Sequence, residues 1–161
     1  MGVDKESLLK FIAKAHRNTY AAPKEIKSKY KCSTPILPGH TDYHFTDGDW
    51  EYHDSYAGAQ WAPGSEVVLF KKQPIWRMSY QGKTVEGLSK EFIEQAFGFL
   101  KKALRNFPDE MPFRGPSSFK EGDFEYAFVL NGDYAYFTGR EALLHKGKEI
   151  FFQNVMGELI K

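Results

Sequence analysis

The stretch from Asp47 to Gly82 is written a second time, with changes, from Glu121 to Gly157. Gly48-Asp49-Trp50-Glu51-Tyr52 recurs as Gly122-Asp123-Phe124-Glu125-Tyr126, 74 residues on, and Gly64-x-Glu66 recurs as Gly139-x-Glu141, 75 residues on. Ile75-Trp76 and Gly82 then find their counterparts in Ile150-Phe151 and Gly157. Self-similarity at one long period limits the fold more than any other feature here, because both copies must fold alike and bury their apolar faces together. It points to an architecture and says nothing of chemistry.

Hydrophobic periodicity fills in the elements. Asp4 is placed to cap a helix over about Lys5 to Asn18, with Leu8, Phe11, Ile12, Ala15 and Thr19 on one face and Leu9 and Ala13 widening it. Ala21 to Gly39 carries prolines and alternating lysines without a clear period. Strands are expected at His40 to Phe45, Asp49 to Tyr56, Glu66 to Phe70 and Ile75 to Gln81, with a short segment around Gln60 to Ala62. Ser89 caps a second helix, whose buried face is Phe92, Ala96, Phe99, Leu100 and Ala103, and which ends at Asn106-Phe107-Pro108. Beyond it, strands are expected at Phe124 to Leu130, Tyr134 to Thr138, Ala142 to His145 and Ile150 to Met156, with Asn131-Gly132 as a two-residue hairpin turn.

The reading is therefore an α+β fold built by internal duplication: a helix followed by a three- to four-stranded antiparallel β-meander, twice, with the helices packed on one face of a curved sheet. The chain, 1–161, is taken as a single domain with pseudo-repeats at about 4–82 and 88–157.

Where the copies disagree, function has room to enter. Phe124, Tyr126, Phe128 and Leu130 share one side of a strand, and the matching side of the first copy is Trp50, Tyr52, Asp54 and Tyr56. Asp54 thus replaces a phenylalanine in an aromatic row, and Arg77 similarly replaces Phe152. Two readings are open: Asp54 and Arg77 are members of structural ion pairs, or Asp54 lies in a cleft walled by Tyr52, Tyr56, Trp76 and Tyr80. Arg77 points to the other strand face from Trp76, Met78 and Tyr80, and fits the cleft less well. Glu66, matched by Glu141, reads as a structural residue of a Gly-x-Glu turn. Aromatic residues make up 16% of the chain, enough for either a sheet-rich core or a binding surface.

Other chemistry is faintly written. Asp42, His44 and His53, with His40 nearby, are a workable imidazole and carboxylate set for a metal-assisted enzyme, but their spacing matches no zinc motif, and neither a metal nor another cofactor is expected. There is no phosphate-binding glycine loop and no nucleophile elbow. One cysteine, Cys32, excludes an internal disulfide framework and fits a cytoplasmic location. Met1 to Tyr20 holds no apolar run long enough for a signal peptide or a membrane span. Residues 1–38 carry 8 Lys/Arg against 3 Asp/Glu, a basic segment read as a solvated connection and not as a nucleic-acid contact.

The run Tyr52-His53-Asp54-Ser55-Tyr56-Ala57-Gly58, then Gly64-x-Glu66, Pro74-Ile75-Trp76-x-Met78-x-Tyr80-x-Gly82 and Pro112-Phe113-Arg114-Gly115-Pro116 resembles an uncharacterised prokaryotic domain family. Its members occur alone or following helix-turn-helix DNA-binding domains, which implies a sensory role, and the plan is similar to that of bacterial effector-binding domains. The function expected is accordingly an effector-like small-molecule binding domain with an aromatic cleft. Tyr52, Asp54, Tyr56, Trp76, Tyr80 and Arg114 would contact a small aromatic or partly polar ligand. Two alternatives stand beside it: a protein-interaction module presenting Tyr43, Trp61 and Phe113, and the metal-assisted enzyme.

Overall fold

The computed structural model of the protein describes residues 3–61 and 63–161, so Ala62 of the segment expected around Gln60 to Ala62 lies outside the described residues. Helix α1 (Lys5–His16) begins where Asp4 accepts the backbone N–H of Ser7 at 2.9 Å, and α3 (Lys90–Leu104) begins where Ser89 accepts that of Phe92 at 3.2 Å. Each cap satisfies a donor that the first helical turn leaves free. A four-residue helix, α2 (Lys24–Lys27), interrupts the long connection after α1.

Eight strands are described, four before α3 and four after it: β1 (His40–Asp47), β2 (Trp50–Ala57), β3 (Gly64–Phe70), β4 (Gln73–Thr84), β5 (Ser118–Glu121), β6 (Phe124–Gly132), β7 (Tyr136–His145) and β8 (Lys148–Leu159). They form one antiparallel sheet in the order β1-β2-β3-β4-β8-β7-β6-β5. Tight turns close four of the hairpins, at Gly48-Asp49, Lys71-Lys72, Gly122-Asp123 and Lys146-Gly147. Turns of this length need left-handed backbone, and Lys71 (φ 50°) and Lys72 (φ 66°) adopt it without the help of a glycine.

This sheet overturns the expected α+β plan of two helix-led meanders of three to four strands. The protein is mostly one continuous eight-stranded antiparallel sheet, to which the helices are minor additions. The physical cause is the pairing of β4 with β8, from Trp76↔Leu159 to Thr84↔Phe151. Left apart, β4 and β8 would each present a long row of unpaired backbone groups; joined, they form the centre of the sheet. Gly82 permits the join, since a Cβ there would overlap the Phe152 carbonyl and stand 2.5 Å from the Gln153 Cα.

Local readings change as well. Asn131-Gly132 is the end of β6 and not the hairpin turn; the chain reverses at Asp133, whose side chain accepts the backbone N–H groups of Ala135 and Tyr136. The strands expected at Tyr134 to Thr138 and Ala142 to His145 are one strand, β7, running through Gly139. Neither Gly64 nor Gly139 marks a turn. Gly64 lies opposite Tyr80, and a Cβ at Gly64 would sit 2.6 Å from the tyrosine ring; the glycine clears space for an aromatic side chain on the next strand.

The core lies between one face of the sheet and the two longer helices. Phe11 of α1 stacks on Trp50 at 5.0 Å, and Phe99 of α3 on Phe124 at 5.3 Å. At the centre Phe113 lies parallel to Phe137, at 4.4 Å and 6°, with Trp76 against both. No helix among the described residues is long and apolar enough to cross a membrane.

Candidate functional site

Alternation along β2 turns Tyr52, Asp54 and Tyr56 toward the helices, and three carboxylates gather on that side of the sheet. Asp54 is 2% exposed, Glu66 4% and Glu141 0%. An isolated charge at such depth is strongly disfavoured, so the partners of each decide what it can do.

Glu141 on β7 is fully engaged. Arg114 donates to it through Nε at 3.0 Å and Nη2 at 2.7 Å, the Tyr126 hydroxyl at 2.8 Å and the Gln153 amide at 3.0 Å. Burial opposes the Arg114 charge, but the Glu141 carboxylate outweighs it and holds the guanidinium charged well beyond its ordinary range. This is a buried, bidentate pair whose carboxylate is satisfied by four hydrogen bonds.

Glu66 on β3 has a histidine partner: His16, at the end of α1, brings Nε2 within 2.8 Å of Oε2. Tyr52 packs its ring edge-on to His16 at 5.5 Å, and Phe107 does so from another side at 6.1 Å.

Asp54 differs from both. It is the cross-strand neighbour of Glu66, whereas Glu141 lies opposite Phe128. The Tyr80 hydroxyl donates to Asp54 Oδ1 at 2.6 Å, and among the described residues no Lys, Arg or His forms an ion pair with it. Burial first, then the nearby Glu66 charge, pushes the Asp54 carboxyl up to about 7, against the opposing pull of the Tyr80 hydrogen bond and the more distant His16 and Arg114. Asp54 is thus a carboxyl balanced near neutrality between acid and anion, next to a tyrosine whose own ionisation burial suppresses.

Above Asp54 is a cavity of about 300 Å³. Its sheet side is Asp54, Glu66, Tyr80, Phe151 and Gln153; its helix side is Tyr20, Phe97, Leu100 and Lys101; Thr41, Tyr56, Gly58, Ala59 and Arg114 complete it. Tyr56 meets Tyr20 edge-to-face at 5.6 Å across this space. Apolar aromatic walls with a few converging polar groups are the usual make-up of a small-molecule site.

Of the six residues singled out from the sequence, Asp54, Tyr56, Tyr80 and Arg114 line this cavity. Tyr52 and Trp76 do not. Tyr52 is buried beneath His16, and Trp76 belongs to the central stack, where its indole N–H finds no partner among the described residues. Arg77 is exposed on the opposite face and cannot pair with Asp54. Sequence reasoning left out Tyr20, Phe97, Lys101, Phe151 and Gln153, and assigned Glu66 to a turn. Once β3 is seen to start at Gly64, alternation puts Glu66 beside Asp54.

Two larger depressions carry less chemistry. One, of about 660 Å³, lies on the outer face of the sheet along Gln81, Val129, Thr138 and Asn154; its one charged group, Arg140, is already forked onto Glu149. The other, of about 490 Å³, runs along α1, where Lys10 pairs with Glu6 and Arg17 with Asp109.

The residues named for the alternative metal set take separate partners. Asp42 accepts from the Ile36 backbone at 2.9 Å and from Ser55 at 2.7 Å, with His53 Nε2 at 3.1 Å, and so pins the 32–42 segment to the edge of the sheet. His44 turns instead toward Glu51 at 3.4 Å. Among the described residues no group of three or more His, Cys, Asp or Glu is placed to hold a metal. Burial, followed by the Asp42 carboxylate, pushes the Cys32 thiol up and away from a reactive thiolate. The aromatic patch proposed for a protein partner is also dispersed: Tyr43 (3% exposed) and Phe113 (0%) are core residues, and only Trp61 (51%) faces outward.

A family model described as a domain of unknown function, DUF5680, matches residues 54–160, and the chain belongs to that family. The matched span opens at Asp54 and takes in Glu66, Tyr80, Lys101, Arg114, Glu141 and Gln153. No curated protein and no solved structure matches the chain.

Proposed function

We propose that this domain binds a small organic molecule in the cavity above Asp54, as an effector-binding module does. The observation that carries the reading is a buried carboxyl, without a basic partner among the described residues, opening into an aromatic-walled space of about 300 Å³. That volume is at the lower end of the range for ligand sites, about 300–1,000 Å³, and suits a molecule with a single ring or a short chain. Tyr20, Tyr56, Phe97 and Phe151 supply contact area, while Asp54, Tyr80 and Gln153 offer hydrogen bonds that fix orientation. The Arg114–Glu141 pair is support: it braces the cavity with a carboxylate already satisfied by four hydrogen bonds, to which Arg114 commits Nε and Nη2.

A thermal-shift screen of chemically diverse fragments, neutral and charged, tests this. A ligand at ten times its Kd adds about 1.4 kcal/mol of stability. For a chain of this size that is a rise of roughly 3–6 °C in Tm. At least one fragment is expected to produce it, to perturb the NMR signals of Tyr56 and Phe97, and to lose its effect in Asp54→Leu. A screen without a stabilising fragment, or hits that persist unchanged in Asp54→Leu, would overturn the reading.

A further inference from the structure

The proposed cavity has opposite charges on its two sides, and they do not neutralise each other. On the sheet side stand Asp54 and Glu66, the latter against His16; on the helix side stands Lys101, while Arg114, also in the lining, is forked onto Glu141. Lys101 forms no ion pair among the described residues, and its ammonium lies 5.2 Å from the centre of the Tyr20 ring. Lys27 approaches the same ring at 5.9 Å and donates to the Tyr20 carbonyl at 3.2 Å, while Arg105 donates to the adjacent Ala21 carbonyl at 2.7 Å. None of these three basic groups has a carboxylate partner among the described residues, although the chain carries 21 acidic side chains against 22 basic ones.

The consequences show in the groups themselves. Burial, then the positive charges of Lys101, Arg105 and Lys31, lowers the Lys27 ammonium; burial, then Arg105, lowers Lys101. Lysines crowded without a counter-charge favour an anion between them. In the same cavity Asp54 is in the mirror situation, without a cationic partner among the described residues. A simple amine would satisfy Asp54 and meet Lys101 as a like charge; a simple acid would satisfy Lys101 and meet Asp54 and Glu66.

Resting on the small-molecule reading above, we infer that the ligand is a small zwitterion with an apolar body, its ammonium group directed to Asp54 on the sheet and its acidic group to Lys101 at the helix. Tyr56, Phe97 and Phe151 hold the apolar body between them. The same arrangement disfavours ligands of one charge sign, because each leaves one charge of the site opposed, the buried Asp54 or the half-buried Lys101.

The test uses matched probes measured by calorimetry on the intact chain. Phenylalanine and 4-(aminomethyl)benzoic acid present the zwitterion at short and long charge separation; benzylamine is the cation, 4-methylbenzoic acid the anion and benzyl alcohol the neutral control. At least one zwitterion is expected to bind tenfold or more tightly than all three controls. Lys101→Gln should erase its advantage over benzylamine, and Asp54→Asn its advantage over 4-methylbenzoic acid; the second change is isosteric, the first shortens a half-buried side chain, and circular dichroism checks that both keep the fold. Should a cationic, anionic or neutral probe bind as tightly as the zwitterions, the inference is overturned while the small-molecule reading stands. Binding by none of the five overturns the inference too, and the broader fragment screen then decides the reading beneath it.

Discussion

Asp54→Asn should make the protein more stable, and only at the upper end of the pH range. The carboxyl moves from an ordinary value of 3.8 to about 7 on folding. The folded state therefore holds this proton more tightly than the unfolded state does. Stability from this group is complete below the unfolded value, falls as pH rises, and is lost once pH passes the folded value. Each pH unit in that window is worth about 1.4 kcal/mol, and about three units separate the two values, so the ionised side chain lowers stability by on the order of 4 kcal/mol at mildly alkaline pH. That is a large share of the roughly 5–15 kcal/mol by which a domain is stable.

Asparagine keeps the shape, and its carbonyl oxygen can still accept from Tyr80, but it carries no proton to lose. Urea denaturation of both proteins from about pH 4 to about pH 8 isolates the effect, because distant titrating groups cancel in the difference and leave Asp54 together with its interaction with Glu66. Asp42, for example, is held below its ordinary range by hydrogen bonds from Ile36, Ser55 and His53 that outweigh its burial, and it gives both proteins the opposite slope at acid pH. The two stabilities should coincide near pH 4 and diverge steadily up to about pH 7, with the variant the more stable. A difference that does not change with pH, or a variant less stable at pH 8, would refute the assignment of Asp54 as a carboxyl without a cationic partner.

Three further outcomes follow from the same geometry. Arg114→Met leaves Glu141 buried without its cation and should cost about 3–5 kcal/mol in chemical denaturation, whereas Arg114→Met combined with Glu141→Leu should recover most of that loss. Gly82→Ala drives a methyl group into the β8 backbone at the centre of the sheet and should destabilise by at least about 3 kcal/mol, with amide protection lost first between β4 and β8 in hydrogen exchange. Replacing Lys71-Lys72 by Asn-Gly relieves two left-handed lysines and should add about 1–2 kcal/mol, read as a higher Tm with unchanged pH dependence.

The starts of the two longer helices were legible in the sequence because they are written locally, whereas the short α2 was not. Asp4 and Ser89 cap the helices they announce, and the faces of α1 and α3 were countable from a 3.6-residue period. The pairing of β4 with β8 was not legible, since nothing local distinguishes a strand that will be an edge from one that will be a centre. Gly64 and Gly139 misled for a related reason. A glycine in sequence reads as a turn, but here each answers to an aromatic ring on another strand, Tyr80 for Gly64 and Phe128 for Gly139, and that partner is set by register alone.

The site divides along the same line. Asp54 was visible because Phe128 stands in the comparable row, an internal reference that single sequences rarely contain. Its significance was not visible, because it depends on Glu66 lying across the strand from it and on Arg114 lying with Glu141 instead. Each of the two comparable strand pairs carries a buried glutamate, and one guanidinium serves only one of them. Where it serves, the carboxylate is saturated by four donors and the region is closed. Where it does not, a second carboxyl has been added, the lysine of the cavity lining is carried by a helix on the other side, and Asp54 has no basic partner among the described residues. An arrangement that lowers stability while Asp54 has, among the described residues, only the Tyr80 hydroxyl as a side-chain partner is one that a ligand of the proposed class would relieve.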